Sequence, residues 1–81
     1  MQKHIKGSLS TIVLKLLRDN GRMYGYEITQ KVKELTKDDI TITEGALYPT
    51  LHKLEAEDIL TPETERVEGR IRKYYKYYTK R

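Results

Sequence analysis

Apolar residues recur at helical spacing along the first part of the chain. Leu9, Ile12, Val13, Leu16 and Leu17 fall on one side and Lys15 and Arg18 on the other, which predicts an amphipathic helix over residues 8–19. Ser8 is the expected N-cap. Asn20-Gly21 stops the helix, glycine suiting the left-handed position beyond a C-terminus. Tyr24, Ile28, Val32 and Leu35 share a face and predict a second helix over 24–35. The polar run Thr36 to Asp39 reads as a connection. Ile40-Thr41-Ile42 then alternates like a very short strand able to pair with a later hairpin.

A third helix is expected over 44–57. Thr43 caps it through its hydroxyl, Leu47, Leu51 and Leu54 form a buried stripe, and Ala46 allows close approach. Pro49 lies inside this helix, where its ring meets the carbonyl four residues earlier. That residue is Gly45, whose bare backbone can yield, so a loosened first turn is expected; the alternative is a helix that begins after Pro49.

From Ile59 the period changes to two. Strands over 59–67 and 70–78 flank the turn Val67-Glu68-Gly69-Arg70, and Pro62 marks the first as an edge strand. Asp58 stands where glycine would be the easy helix exit. One face of the last strand carries Ile71, Lys73, Tyr75, Tyr77 and Thr79, the other Arg70, Arg72, Tyr74, Lys76 and Tyr78. Both mix polar and aromatic groups, so the inward face stays open, although Tyr75 and Tyr77 suit core packing.

Three helices followed by a hairpin make a mainly α fold with a small β-hairpin. The expectation is a single winged helix-turn-helix domain across residues 1–81, with three helices and a two-stranded wing. Such a domain puts its third helix in the DNA major groove and its ribbon along the backbone or in the neighbouring minor groove.

Charge supports that reading. The chain has 81 residues, 37% hydrophobic and 35% charged, with a formal net charge of +4. Residues 66–81 hold seven basic residues and one acid, whereas residues 1–65 hold nine basic and eleven acidic ones, so the cationic surplus sits in the hairpin. A solvated basic tail is the bland alternative, but here the basic residues interleave with β-formers. So thin a core suggests support from a partner subunit.

Other classes find little. With no cysteine there is no disulfide, thiolate metal site or thiol nucleophile, and the two histidines, His4 and His52, lie far apart. Neither an enzyme nor a cofactor is expected. No apolar run approaches a membrane span and residues 1–6 lack a signal-peptide core, so the expected address is the bacterial or archaeal cytoplasm, at the nucleoid.

The candidate DNA-binding residues are Thr43, Gly45, Tyr48, Pro49, Thr50, His52 and Lys53 on the third helix and Arg66, Arg70, Arg72 and Lys73 on the wing. The phenol of Tyr48 can reach a phosphate or a thymine methyl. Thr50 and His52 can hydrogen-bond base edges, and Lys53 and the wing arginines suit phosphate, guanine or a narrow minor groove. Partial burial between helices is an equal reading of Tyr48.

These islands resemble the PadR family of winged helix-turn-helix transcriptional regulators. The likeness runs through Tyr24-Gly25-Tyr26-Glu27-Ile28, then Glu44-Gly45-Ala46-Leu47-Tyr48-Pro49 with Leu51 and Leu54-Glu55, then Gly69-Arg70 with Arg72-Lys73-Tyr74-Tyr75. It implies a homodimeric repressor on a two-fold double-stranded DNA operator, responsive to small aromatic or drug-like effectors. Three departures stand out. Asp58 replaces a usual glycine, Ile71 a frequent proline, and Tyr77-Tyr78 the family's Leu-Thr. Family members also continue into a C-terminal dimer helix, so the expectation past Arg81 is either such a continuation or a dimer built through the first helix. The alternative reading is a winged-helix module for protein contact or small-molecule sensing, with weak DNA affinity.

Overall fold

The computed structural model describes residues 5–77. Helix α1 spans Ile5–Asn20, β1 Met23–Tyr24, α2 Gly25–Leu35, α3 Glu44–Ala56, β2 Leu60–Val67 and β3 Arg70–Tyr77. The first helix begins a turn ahead of Ser8, so that residue lies inside the helix and does not cap it. Tyr78 and Thr79, assigned from the sequence to the last strand's two faces, lie outside the described residues.

The sheet has three antiparallel strands in the order β1-β3-β2, not the two expected of a simple wing. Met23 pairs with Tyr75 and Tyr24 with Tyr74, while β2 and β3 pair in register from Leu60–Tyr77 to Val67–Arg70. Ile40-Thr41-Ile42, expected as the extra strand, is not one. Both edges of β3 are already occupied, and the free edge of β2 carries Pro62, which lacks a donor. The segment is fixed otherwise: the Thr36 hydroxyl donates to Val32 O at 2.8 Å and accepts from the Ile40 N–H at 3.0 Å. That anchors the α2–α3 connection and leaves Ile42 buried in the core.

The core gathers one face of every element. Leu9, Val13, Leu16 and Leu17 from α1 meet Ile28 and Val32 from α2, Leu47, Leu51 and Leu54 from α3, and Met23, Leu60 and Tyr75 from the sheet. Pairing with Met23 settles the open question of β3: Tyr75 faces inward at 1% exposure. Leu35 shares a face with Ile28 and Val32 but is 64% exposed. It overhangs the end of α2, where it lines an apolar groove of about 360 Å³ with Ile12, Leu16 and Val32.

Helix ends follow local chemistry. Thr43 Oγ1 accepts from the Ala46 N–H at 3.2 Å and caps α3, which runs through Pro49 unbroken. A proline N–H would have bonded Gly45, in the exposed first turn, where its loss costs least. At the far end, the Asp58 N–H donates to Glu55 O and the Ile59 N–H to Leu54 O, with Asp58 at φ +62°. This is a Schellman exit with aspartate where glycine is easiest. The wing turn has Glu68 at φ +51° and Gly69 at φ +79°, the mirror-image turn whose twist matches a hairpin.

Candidate nucleic-acid interface

Removing the leucine stripe from α3 leaves Gly45, Ala46, Pro49, His52, Lys53 and Ala56 exposed along one side. The Glu44 and Gly45 N–H groups precede the first intrahelical bonds, so the helix start offers donors to an anion. Of the expected contacts, Gly45, Pro49, His52 and Lys53 lie on this stripe. Thr43 is spent as the cap, and Thr50 is half-buried on the flank.

Tyr48 does two things. Its ring is half-buried against the core, 6.0 Å from the His52 ring, and its hydroxyl end lies on the backbone of Gly25 at the start of α2. A β-carbon at Gly25 would stand 2.7 Å from Tyr48 Cζ, so this glycine is required by close approach. Burial, reinforced by Glu44 and Tyr75 and partly offset by Lys73, holds the phenol above its ordinary pKa. It remains a neutral donor at physiological pH.

The wing separates its four expected cations. Arg66 and Arg70 are exposed near the tip and form no ion pair among the described residues. Arg66 is paired in register with Ile71, which is 64% exposed. Arg72 is half-buried, its guanidinium 4.2 Å from the centroid of the Tyr24 ring. A hydrogen bond to Tyr74 raises its pKa against the opposing cost of desolvation. Lys73, on the other face, reaches Glu55 at the end of α3 at 3.5 Å and lies over the Tyr75 ring, 5.3 Å from its centroid. Burial alone would lower the Lys73 pKa, but Tyr75 and Glu55 outweigh it and the net shift is upward.

One residue was invisible to sequence reasoning. Arg22, just ahead of β1, donates to Glu63 Oε1 at 3.1 Å and to Glu65 Oε1 at 2.8 Å, both on β2. On the way its guanidinium stacks 4.1 Å from the centroid of the Tyr74 ring. Lys76 holds the other oxygen of Glu63 at 2.7 Å. Nothing local to Arg22 announces this, because its partners lie some forty positions away.

The family model described as the transcriptional regulator PadR-like family matches residues 13–79. The chain belongs to that family. It is 34% identical over 76 residues to transcriptional regulator Rv3488 of Mycobacterium tuberculosis, covering 94% of this chain and 67% of that protein. A transcriptional regulator from Clostridium thermocellum superposes with a TM-score of 0.84 at 32% identity, covering 91% of this chain and 71% of that one. Bacillus subtilis PadR in complex with operator DNA superposes at 0.75 and 31% identity, covering 86% of this chain and 40% of that one. The chain spans about two thirds of the length of two curated relatives it matches and 26% of the length of two others. Among the described residues no helix is long and apolar enough to cross a membrane, and no group of three or more His, Asp or Glu side chains could hold a metal ion.

Proposed function

We propose that this PadR-like chain is a sequence-specific DNA-binding regulator. The exposed stripe Gly45, Pro49, His52 and Lys53 enters the major groove, with Tyr48 and Thr50 at its margin, and Thr43 orients the helix start. Arg66 and Arg70, with Arg72 and Lys73 behind them, meet the flanking backbone or minor groove. The observation that carries the reading is the disposition of charge. The exposed side of α3 and a cationic hairpin lie side by side, joined by Lys73–Glu55. The operator complex of a similar protein supports DNA as the partner.

In the finer reading the protein is a cytoplasmic repressor, a homodimer on a two-fold operator, with a small aromatic effector. The alternative, a protein-contact module, is favoured by one feature, the exposed apolar groove of Ile12, Leu16, Val32 and Leu35. Selection from randomised duplex DNA at near-physiological salt separates these. Enrichment of an inverted repeat with half-sites about one helical turn apart is the expected result. A single enriched half-site would remove the dimer from the reading, and elution from DNA resin at low salt with no enrichment would favour the protein-contact module.

A further inference from the structure

The hairpin is tied to the body by little backbone. β1 contributes two residue pairs, both at the base of β3. From Thr64 round the tip to Lys73, β2 and β3 have each other as register partners. A two-stranded hairpin is marginal by itself, so its attitude above the body is set by side chains.

Arg22 crosses this gap on the outer face of the sheet, as Lys73 does on the inner face by reaching Glu55 on α3. It leaves the body ahead of β1, passes over Tyr74 on the central strand and ends on Glu63 and Glu65 of the outer strand. One residue thus spans the width of the three-stranded sheet. A planar, forked guanidinium can stack on a ring while donating from both terminal nitrogens; a lysine ammonium cannot. Tyr74 is in turn set edge-on to Tyr24, with ring centroids 5.5 Å apart, and Arg72 covers Tyr24. Two phenols packed edge-on therefore lie between two guanidinium groups across the outer face of the sheet, in the order Arg72, Tyr24, Tyr74, Arg22.

We infer that Arg22 is a positioning residue for DNA binding, holding the wing at its working height without touching the nucleic acid. The inference rests on the DNA-binding reading above. Exposed ion pairs add little to global stability. The partners of Arg22 all sit on the hairpin, so its loss releases the hairpin and not the core. A hairpin free to swing must be ordered when DNA binds; one already fastened has met that entropic cost in the free protein. The same contacts neutralise Glu63 and Glu65, two carboxylates on a surface that would otherwise repel phosphate.

The test uses the full chain as wild type, Arg22→Gln, the pair Glu63→Gln/Glu65→Gln, and the triple variant. In free protein, Arg22→Gln should speed amide exchange over residues 64–73 roughly fivefold to tenfold, leaving α1 and α3 unchanged. Unaltered wing exchange would overturn the inference. On duplex DNA, Arg22→Gln should weaken binding by a similar factor, keep the dependence on salt, and cost nothing further in the Glu63→Gln/Glu65→Gln background. A phosphate-contacting Arg22 would instead lower the salt slope by about 0.9 and keep its full cost in that background, which also overturns the inference. Arg22→Lys, which keeps the charge but not the fork, should fall between, and it serves if Arg22→Gln fails to fold. If wild type shows no salt-sensitive duplex binding, the DNA-binding reading is what falls, and the exchange result alone decides whether Arg22 fastens the hairpin.

Discussion

The phenol of Tyr48 on α3 rests on the bare α-carbon of Gly25 at the first turn of α2. This contact sets how closely the two helices of the helix-turn-helix approach, and it ties a candidate DNA-contacting ring to the body. Gly25→Ala puts a methyl inside the ring's contact distance, so either the helices part or the ring swings outward. Overpacking of this kind costs about 1–3 kcal/mol. In a Tyr48→Ala background the same substitution should be neutral or slightly stabilising, because alanine is the better helix former. Thermal unfolding of the two single variants and the double variant checks this; additive losses would mean the contact is not what demands glycine.

Tyr75 offers a second test of packing. The residue is 1% exposed, and no protein group among the described residues hydrogen-bonds its hydroxyl. A buried polar group without a partner costs about 1–3 kcal/mol. Tyr75→Phe keeps the ring that closes the core against Met23 and removes the hydroxyl, so the midpoint of thermal unfolding should rise by several degrees, at roughly 4–8 °C per kcal/mol in a domain of this size. A fall would show that the hydroxyl is bonded in solution.

What the sequence disclosed and what it hid divide along a physical line. Thr43, the leucine stripe of α3, the glycine-containing wing turn and the awkward Asp58 exit are short-range features, set by groups within a few residues of one another. The structure has each of them in those roles. β1 was missed because two residues cannot display alternation, and its existence depends on Tyr74 and Tyr75 fifty positions later. Ile40-Thr41-Ile42 displayed alternation and is no strand, because no edge of β3 was left for it. Within the candidate site, the exposure of Gly45, Pro49, His52 and Lys53 followed from periodicity, whereas Ala46, read as a close-packing residue, is exposed and Tyr48 and Thr50 are half-buried by neighbouring elements. The split between free Arg66 and Arg70 and engaged Arg72 and Lys73 did not follow from periodicity, since it depends on Tyr24 and Glu55 in other elements.

The wing should loosen in acid. Hydrogen bonds from Lys76 first, and Arg22 next, hold the Glu63 carboxyl below the usual glutamate range. A carboxyl with a depressed folded pKa adds stability above its unfolded pKa, and that contribution is lost as pH falls through the folded value. The hairpin should therefore be fastened at neutral pH and released progressively from roughly pH 5 to pH 3. Glu63 is half-buried and its partners are Arg22 and Lys76 at the sheet surface, so the release is local. Amide exchange over residues 60–67, corrected for intrinsic rates, should rise across that window in wild type and be already raised and flat in Glu63→Gln. An acid response that survives Glu63→Gln would overturn its assignment to Glu63.

The four wing cations should not behave alike on DNA. Arg66 and Arg70 have no ion-pair partner among the described residues, so a phosphate can take them at no internal loss. Arg66→Ala and Arg70→Ala should each weaken binding to all duplex sequences and lower the salt slope by about 0.9. Arg72 must leave the face of Tyr24, and Lys73 must leave Glu55, before either meets a phosphate. Their alanine variants should shift the slope less and loosen the hairpin more. Along α3 the signature is different: His52→Ala should narrow the gap between preferred and random duplexes by about 1–3 kcal/mol with little change in salt slope, as expected of a base-edge contact. If Arg72→Ala instead gives the full slope loss with wing exchange unaltered, DNA binding pulls this arginine off its ring, and the stacked position in the free protein is a resting place and not a brace.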